Sequence, residues 1–77
     1  MNTIQDTLDY ILKSIVSNPD DVSVQSTKSV NFISLEILAP AEMVGQIIGK
    51  QGKIIKAIRQ ILNLSFPDVR YSLEIKE

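Results

Sequence analysis

A two-layer α+β fold, with three helices on one face of a three-stranded mixed sheet in the order α-β-β-α-α-β, is what this sequence predicts. Three observations carry the expectation. Apolar residues recur at helical spacing in three stretches and alternate in three others. Two of the helical stretches lie between the second and third strands, a connection long enough for a crossover and therefore for parallel pairing of those strands. With 77 residues, 44% hydrophobic and 22% charged, the chain has the size and balance of one globular domain spanning residues 1–77. A domain this small buries only about 60 to 65% of the surface its unfolded chain exposes.

The elements follow in order. Ile4, Leu8, Ile11, Leu12 and Ile15 share one side of a helix, with Asp6, Asp9 and Lys13 on the other. Thr3, followed three residues later by Asp6, offers the N-cap, and "NPDD" from Asn18 to Asp21 stops the helix, because a proline disfavours helical geometry in the residue before it. "VSVQ" predicts a short strand and "STKS", Ser26 to Ser29, a polar turn. A longer strand from Val30 to Ala39 places Ile33, Leu35 and Ile37 on one face and Phe32, Ser34, Glu36 and Leu38 on the other. "APAEMVGQII" predicts a short helix with Pro40 near its first turn and Glu42 by its positive end, interrupted at Gly49. After Gly52, Ile54, Ile55, Ile58, Ile61 and Leu62 project within roughly 120° of one another on a wheel of about 100° per residue, with Lys53, Lys56, Arg59, Gln60 and Asn63 opposite. Of the isoleucines, Ile48, Ile54, Ile58 and Ile61 are assigned to the core. "SFPD" ends this helix, and Val69, Tyr71, Leu73 and Ile75 alternate with Arg70, Ser72, Glu74 and Lys76 in the last strand.

Composition excludes more than it names. There is no cysteine, hence no disulfide framework and no thiolate metal site, and no histidine, which removes the commonest general base and metal ligand together. Catalysis would need a Ser-Lys pair or paired carboxylates, and Asp20 with Asp21 or Glu74 with Glu77 read as solvated or capping acids. The sequence therefore implies no enzyme, no cofactor and no metal. The N-terminal segment carries acids early and a lysine within its apolar run, so it reads as neither a signal peptide nor a membrane span, and the chain as cytoplasmic.

Net charge is −1, against the basic balance usual for nucleic-acid binders. Its distribution reverses that argument. From Met43 to Pro67 there are four cations (Lys50, Lys53, Lys56, Arg59) and no acid, so this segment is +4 and the remainder −5. At its centre stands "IIGKQGKIIKAI". Two glycines at a junction of two helices allow positive φ and a close approach without a Cβ, making Gly49, Lys50, Gln51 and Gly52 a tight exposed loop. Gly52 opens a helix whose first amides lack partners, a natural seat for phosphate. Lys53 in that first turn is unfavourable by roughly 0.3 to 1 kcal/mol unless something anionic offsets it. A lone G-x-x-G more often makes a plain helix corner above a solvated face; here the flanking residues are specified too.

That stretch resembles the core signature of the KH domain, [VI]-I-G-K-x-G-x-x-I-K-x-I, with Ile47, Ile48, Gly49, Lys50, Gly52, Ile55, Lys56 and Ile58 at the matching places. The element order is similar to the type II, bacterial-style KH fold. Length, "NPDDVSV", "LAPAEMVGQIIGKQGKIIKAIR" and the closing strand resemble the small stand-alone KH proteins of the KhpA type, across essentially the whole chain. The resemblance implies a groove for about four unpaired nucleotides, with the G-x-x-G loop on the sugar-phosphate backbone and an aliphatic floor. Mapped onto this sequence, Gly49, Lys50, Gln51 and Gly52, with Lys53 and Lys56, would hold the backbone. Val44, Ile47, Ile48 and Ile55 would form the floor, with Leu38 on the strand. No aromatic residue lies between Glu36 and Ser65, so stacking of bases on aromatic rings is not the expected mode. The partners implied are single-stranded RNA and a second KH chain, either a homodimer partner or a larger KH-containing protein of the KhpB or Jag type. The role implied is RNA chaperone or post-transcriptional regulator linked to cell shape and division. The alternative is a KH-fold protein-interaction module, a dimerisation unit with little RNA binding of its own.

Overall fold

The computed structural model describes residues 3–77. Helix α1 (Ile4–Ile15) begins where the sequence places it: the Thr3 hydroxyl accepts the Asp6 amide at 3.1 Å, satisfying one of the donors a helix start leaves open. A single 3₁₀ turn, Pro19–Asp21, leads into strand β1 (Ser23–Ser29), which pairs antiparallel with β2 (Phe32–Leu38). Helices α2 (Ala41–Ile48) and α3 (Lys53–Ser65) follow, and β3 (Tyr71–Lys76) closes the sheet in the order β1-β2-β3. β3 runs parallel to β2 in the register Leu35↔Leu73, so the sheet is mixed, as the long helical connection requires.

Register follows from burial. Leu35 and Ile37 are fully buried beneath the helices, flanked on the same face by Val24 of β1 and Leu73 of β3. From the helical layer, Leu8 and Leu12 of α1, Met43 and Ile47 of α2 and Leu62 of α3 close over them. Every buried side-chain polar atom among the described residues has a partner, and no buried residue is polar or charged. The core is therefore held by apolar burial, at about 25 cal/mol per Å² removed from water.

Two expectations are corrected. "STKS" is not a turn: β1 continues through it, and the turn is Val30–Asn31, with Ser29 paired to Phe32 and the second strand shortened to Phe32–Leu38. The physical reason lies on α1. Ser26 faces inward, where its hydroxyl donates to Gln5 Oε1 at 2.7 Å, while Gln5 Nε2 donates to the Val24 carbonyl at 2.9 Å. A helix glutamine thus satisfies a polar strand that its own composition would not recommend. The second correction is to the core. Ile58 is buried, but Ile54 and Ile61 are 38% and 44% exposed and Ile48 is half-buried. The apolar arc of α3 is wider than the surface it packs on, and contact centres on Ile58 and Leu62.

Candidate nucleic-acid interface

The connection between α2 and α3 is built by conformation. Gly49 has φ +76°, Gln51 +57° and Gly52 +74°, so three of its four residues are left-handed. The Gly49 amide donates to Gly45 O at 2.9 Å, ending α2, and the Gly52 amide donates to Gly49 O at 3.2 Å, closing the turn. The two glycines are required for different reasons. A Cβ on Gly49 would stand 2.6 Å from Ile54 Cγ1, besides being strained by its φ. A Cβ on Gly52 would meet only Ile55 Cγ2 at 3.9 Å, so there backbone φ alone excludes a side chain and the space above is open. Gln51 is the one non-glycine with positive φ among the described residues, at a cost of roughly 1 to 2 kcal/mol.

The result is an exposed corner rich in donors. The amides of Lys50 and Gln51 have no partner among the loop's backbone hydrogen bonds, and Gly52 starts α3 with no side-chain cap and no acid in its first turn. Lys50, Lys53, Lys56 and Arg59 are all exposed, and none takes part in an ion pair among the described residues. The acids lie elsewhere. Glu36 and Glu74 sit on the outer face of the sheet, where Glu36 binds Lys76 at 3.1 Å. That hydrogen bond, with the charges of Glu36 and then Glu74, raises the Lys76 ammonium above its usual range.

Of the residues singled out in the sequence, the structure gathers Gly49, Lys50, Gln51, Gly52, Lys53 and Lys56 on one exposed corner. Val44, Ile48 and Ile55 lie beside it, half-buried, and Val44 and Ile55 each pack one side against the core. Ile47 is 0% exposed and supports that floor from beneath without reaching the surface. Leu38 alternates with the buried Ile37 and so lies on the sheet's outer face, level with Lys76, away from the corner. Two positioning contacts were not legible in the sequence. Gln46 Oε1 accepts the Ser17 amide at 3.0 Å, tying α2 to the segment after α1, and the Tyr71 hydroxyl donates to Asn63 Oδ1 at 2.8 Å, tying α3 to β3. Their partners are 29 and 8 residues apart, and no local pattern marks them.

A helix and hairpin preceding two helices joined by a left-handed G-x-x-G corner, over a mixed sheet, define a KH domain. The comparisons agree: residues 5–75 match the family model for the KhpA/KhpB KH domain, and the chain belongs to that family. It is 38% identical over 76 residues to the RNA-binding protein KhpA of Chlamydia caviae, covering 96% of this chain and 97% of the relative. It is 40% identical over 72 residues to the Chlamydia trachomatis protein of the same name, covering 91% and 92%, and 44% over 55 residues to that of Clostridium acetobutylicum, covering 71% and 73%. No solved structure matches it. No helix among the described residues is long and apolar enough to cross a membrane.

Proposed function

We propose that this chain binds single-stranded RNA at the G-x-x-G corner, with the loop on the phosphates and aliphatic side chains beneath the bases. The observation that carries the reading is the corner itself: among the described residues, two loop amides without a backbone partner at an uncapped helix start, four cations outside any ion pair, and no acid in the first turn of α3. Unpartnered amides and a helix N-terminus favour an anion, and the RNA-binding relatives make RNA the anion to test. Lys50, Gln51, Gly52 and Lys53 hold phosphate, Lys56 extends the positive track, and Val44, Ile48 and Ile55 form the floor. Gly49 acts by shaping the loop. With two or three phosphates neutralised, log affinity falls against log salt with a slope of only about −1.5 to −2, so a single clamp is weak and paired domains are favoured. A cytoplasmic role as RNA chaperone or post-transcriptional regulator, working as a homodimer or with a larger KH protein of the KhpB type, is the finer reading that the family membership supports.

The test is a titration of the labelled protein with a short unstructured RNA, followed by amide chemical shifts. Shifts confined to residues 44–56 are expected. Shifts centred on the outer sheet face, around Glu36 and Glu74, would overturn the assignment.

A second reading, a dimerisation module, is favoured by one specific feature: an exposed apolar line on α3, comprising Ile54, Ile61 and Leu64.

A further inference from the structure

Strand β1 stands at one edge of the sheet, and α1 closes only part of that edge. Gln5 Nε2 donates to the Val24 carbonyl, so the backbone groups of Val24 point away from β2. By the alternation of an antiparallel ladder, the amides and carbonyls of Ser26 and Lys28 point the same way, toward the open side. Gln5 reaches the Ser26 hydroxyl but not its backbone, and no loop or side chain among the described residues takes the backbone groups of Ser26 or Lys28. Beside this stretch lies a cleft of about 310 Å³, lined by the apolar side chains of Ile4, Ile33, Phe66 and Val69 and bounded by Lys28. The Lys28 ammonium is in no ion pair among the described residues.

We infer that an extended peptide from a protein partner pairs antiparallel with β1 at Ser26 and Lys28, adding a strand to the sheet. Free ladder groups on an edge strand select an extended chain, which alone offers donors and acceptors in the same alternation. In an antiparallel pair, the peptide residues opposite Ser26 and Lys28 turn their amides to β1 and their side chains to the face that Ser26 and Lys28 share, the face beneath the helices. The cleft on that face takes an apolar side chain from one of the two. The unpaired Lys28 ammonium takes an acid from the other, since a long side chain reaches across either a direct or a diagonal pair. The segment recognised is therefore an extended one with an apolar residue and an acid two positions apart. Few backbone bonds and one cleft make a small contact, so the complex is weak and reversible. Phe66 follows the end of α3, whose 13 residues place the cleft about 20 Å from the start of that helix at the G-x-x-G corner. The peptide site is thus separate from the corner and does not depend on what binds there.

The probe is a short capped peptide of threonines carrying one leucine and, two positions later, one glutamate, titrated without RNA while the protein's amide chemical shifts are followed. Shifts are expected in residues 24–29 and 66–69 as the peptide approaches about millimolar concentration. N-methylating the leucine, whose amide faces β1, lowers affinity about tenfold or more, because it removes a ladder donor and sets a methyl group against the edge. N-methylating the threonine between leucine and glutamate, whose amide faces away, leaves affinity unchanged. Lys28→Glu, at an exposed site where circular dichroism checks the fold, weakens the peptide several-fold and favours one with lysine in place of its glutamate. Absence of shifts at millimolar peptide overturns the inference and leaves Lys28 as a guard against strand pairing. Shifts along Tyr71–Lys76 instead would overturn it by placing the strand on the opposite edge. Two N-methyl peptides that bind alike would leave a side-chain pocket without a strand, and the reverse order of the two would make the pairing parallel; either overturns the proposed ladder. Loop variants that fail to affect RNA binding would overturn the clamp and leave this site untouched.

Discussion

Two connections in this molecule are held in place by different means. Each puts two exposed residues between regular elements: Val30–Asn31 between β1 and β2, and Lys50–Gln51 between the glycines that join α2 to α3. The hairpin uses no left-handed residue, whereas the helix junction uses three in four. The hairpin turn is held by the strands on either side of it, which pair because Val24, Leu35 and Ile37 must share a buried face. The helix junction is held by its own residues, and it leaves donors and cations unpartnered. A connection determined from outside tolerates change and carries little; one determined from within is intolerant and presents a surface.

The largest expected break in that contrast is Gly49→Ala. It combines a backbone region open almost only to glycine with a Cβ driven against Ile54, at about 3 kcal/mol or more, measured by denaturant titration. For a chain whose total stability is on the order of 4 to 11 kcal/mol, that threatens the fold itself. Gly52→Ala meets no clash, and costs only the left-handed conformation, about 1 to 2 kcal/mol by the same titration. Gln51→Gly runs the other way: relief of left-handed strain outweighs the added chain entropy, for a gain of about 0.5 kcal/mol. Val30→Ser, at a position 95% exposed, changes stability by less than about 0.5 kcal/mol. A Gly52→Ala variant as damaged as Gly49→Ala, or a Val30→Ser variant that lost more than either, would dissolve the distinction between the two connections.

The same distinction explains what the sequence revealed. The G-x-x-G corner was legible because conformation dictates its residues, and so were the Thr3 cap and the three helices, whose periodicity is local. The hairpin was not. Ser26 and Thr27 look like turn residues until Gln5 of α1 supplies the hydrogen bond that lets Ser26 face inward, and Val30 looks like a strand residue although it occupies the apex of the turn. Ile54 and Ile61 read as core from the sequence yet stand partly open, because a wheel shows which residues share a side, not how wide a neighbour covers it. Ile47 and Ile48 are adjacent in one motif, yet one is wholly buried and the other half-open, a difference fixed by how α2 sits on the layer beneath.

The central claim is that the corner left open by its own backbone grips an RNA backbone. Fluorescence anisotropy of a labelled single-stranded RNA, titrated with the parent and with a Lys50→Asp, Gln51→Asp variant at two salt concentrations, tests it most directly. The variant should remain folded by circular dichroism, since both side chains are exposed, and should lose at least about tenfold in affinity, while the parent shows a salt slope of about −1.5 to −2. A folded variant that binds as tightly as the parent would contradict the account.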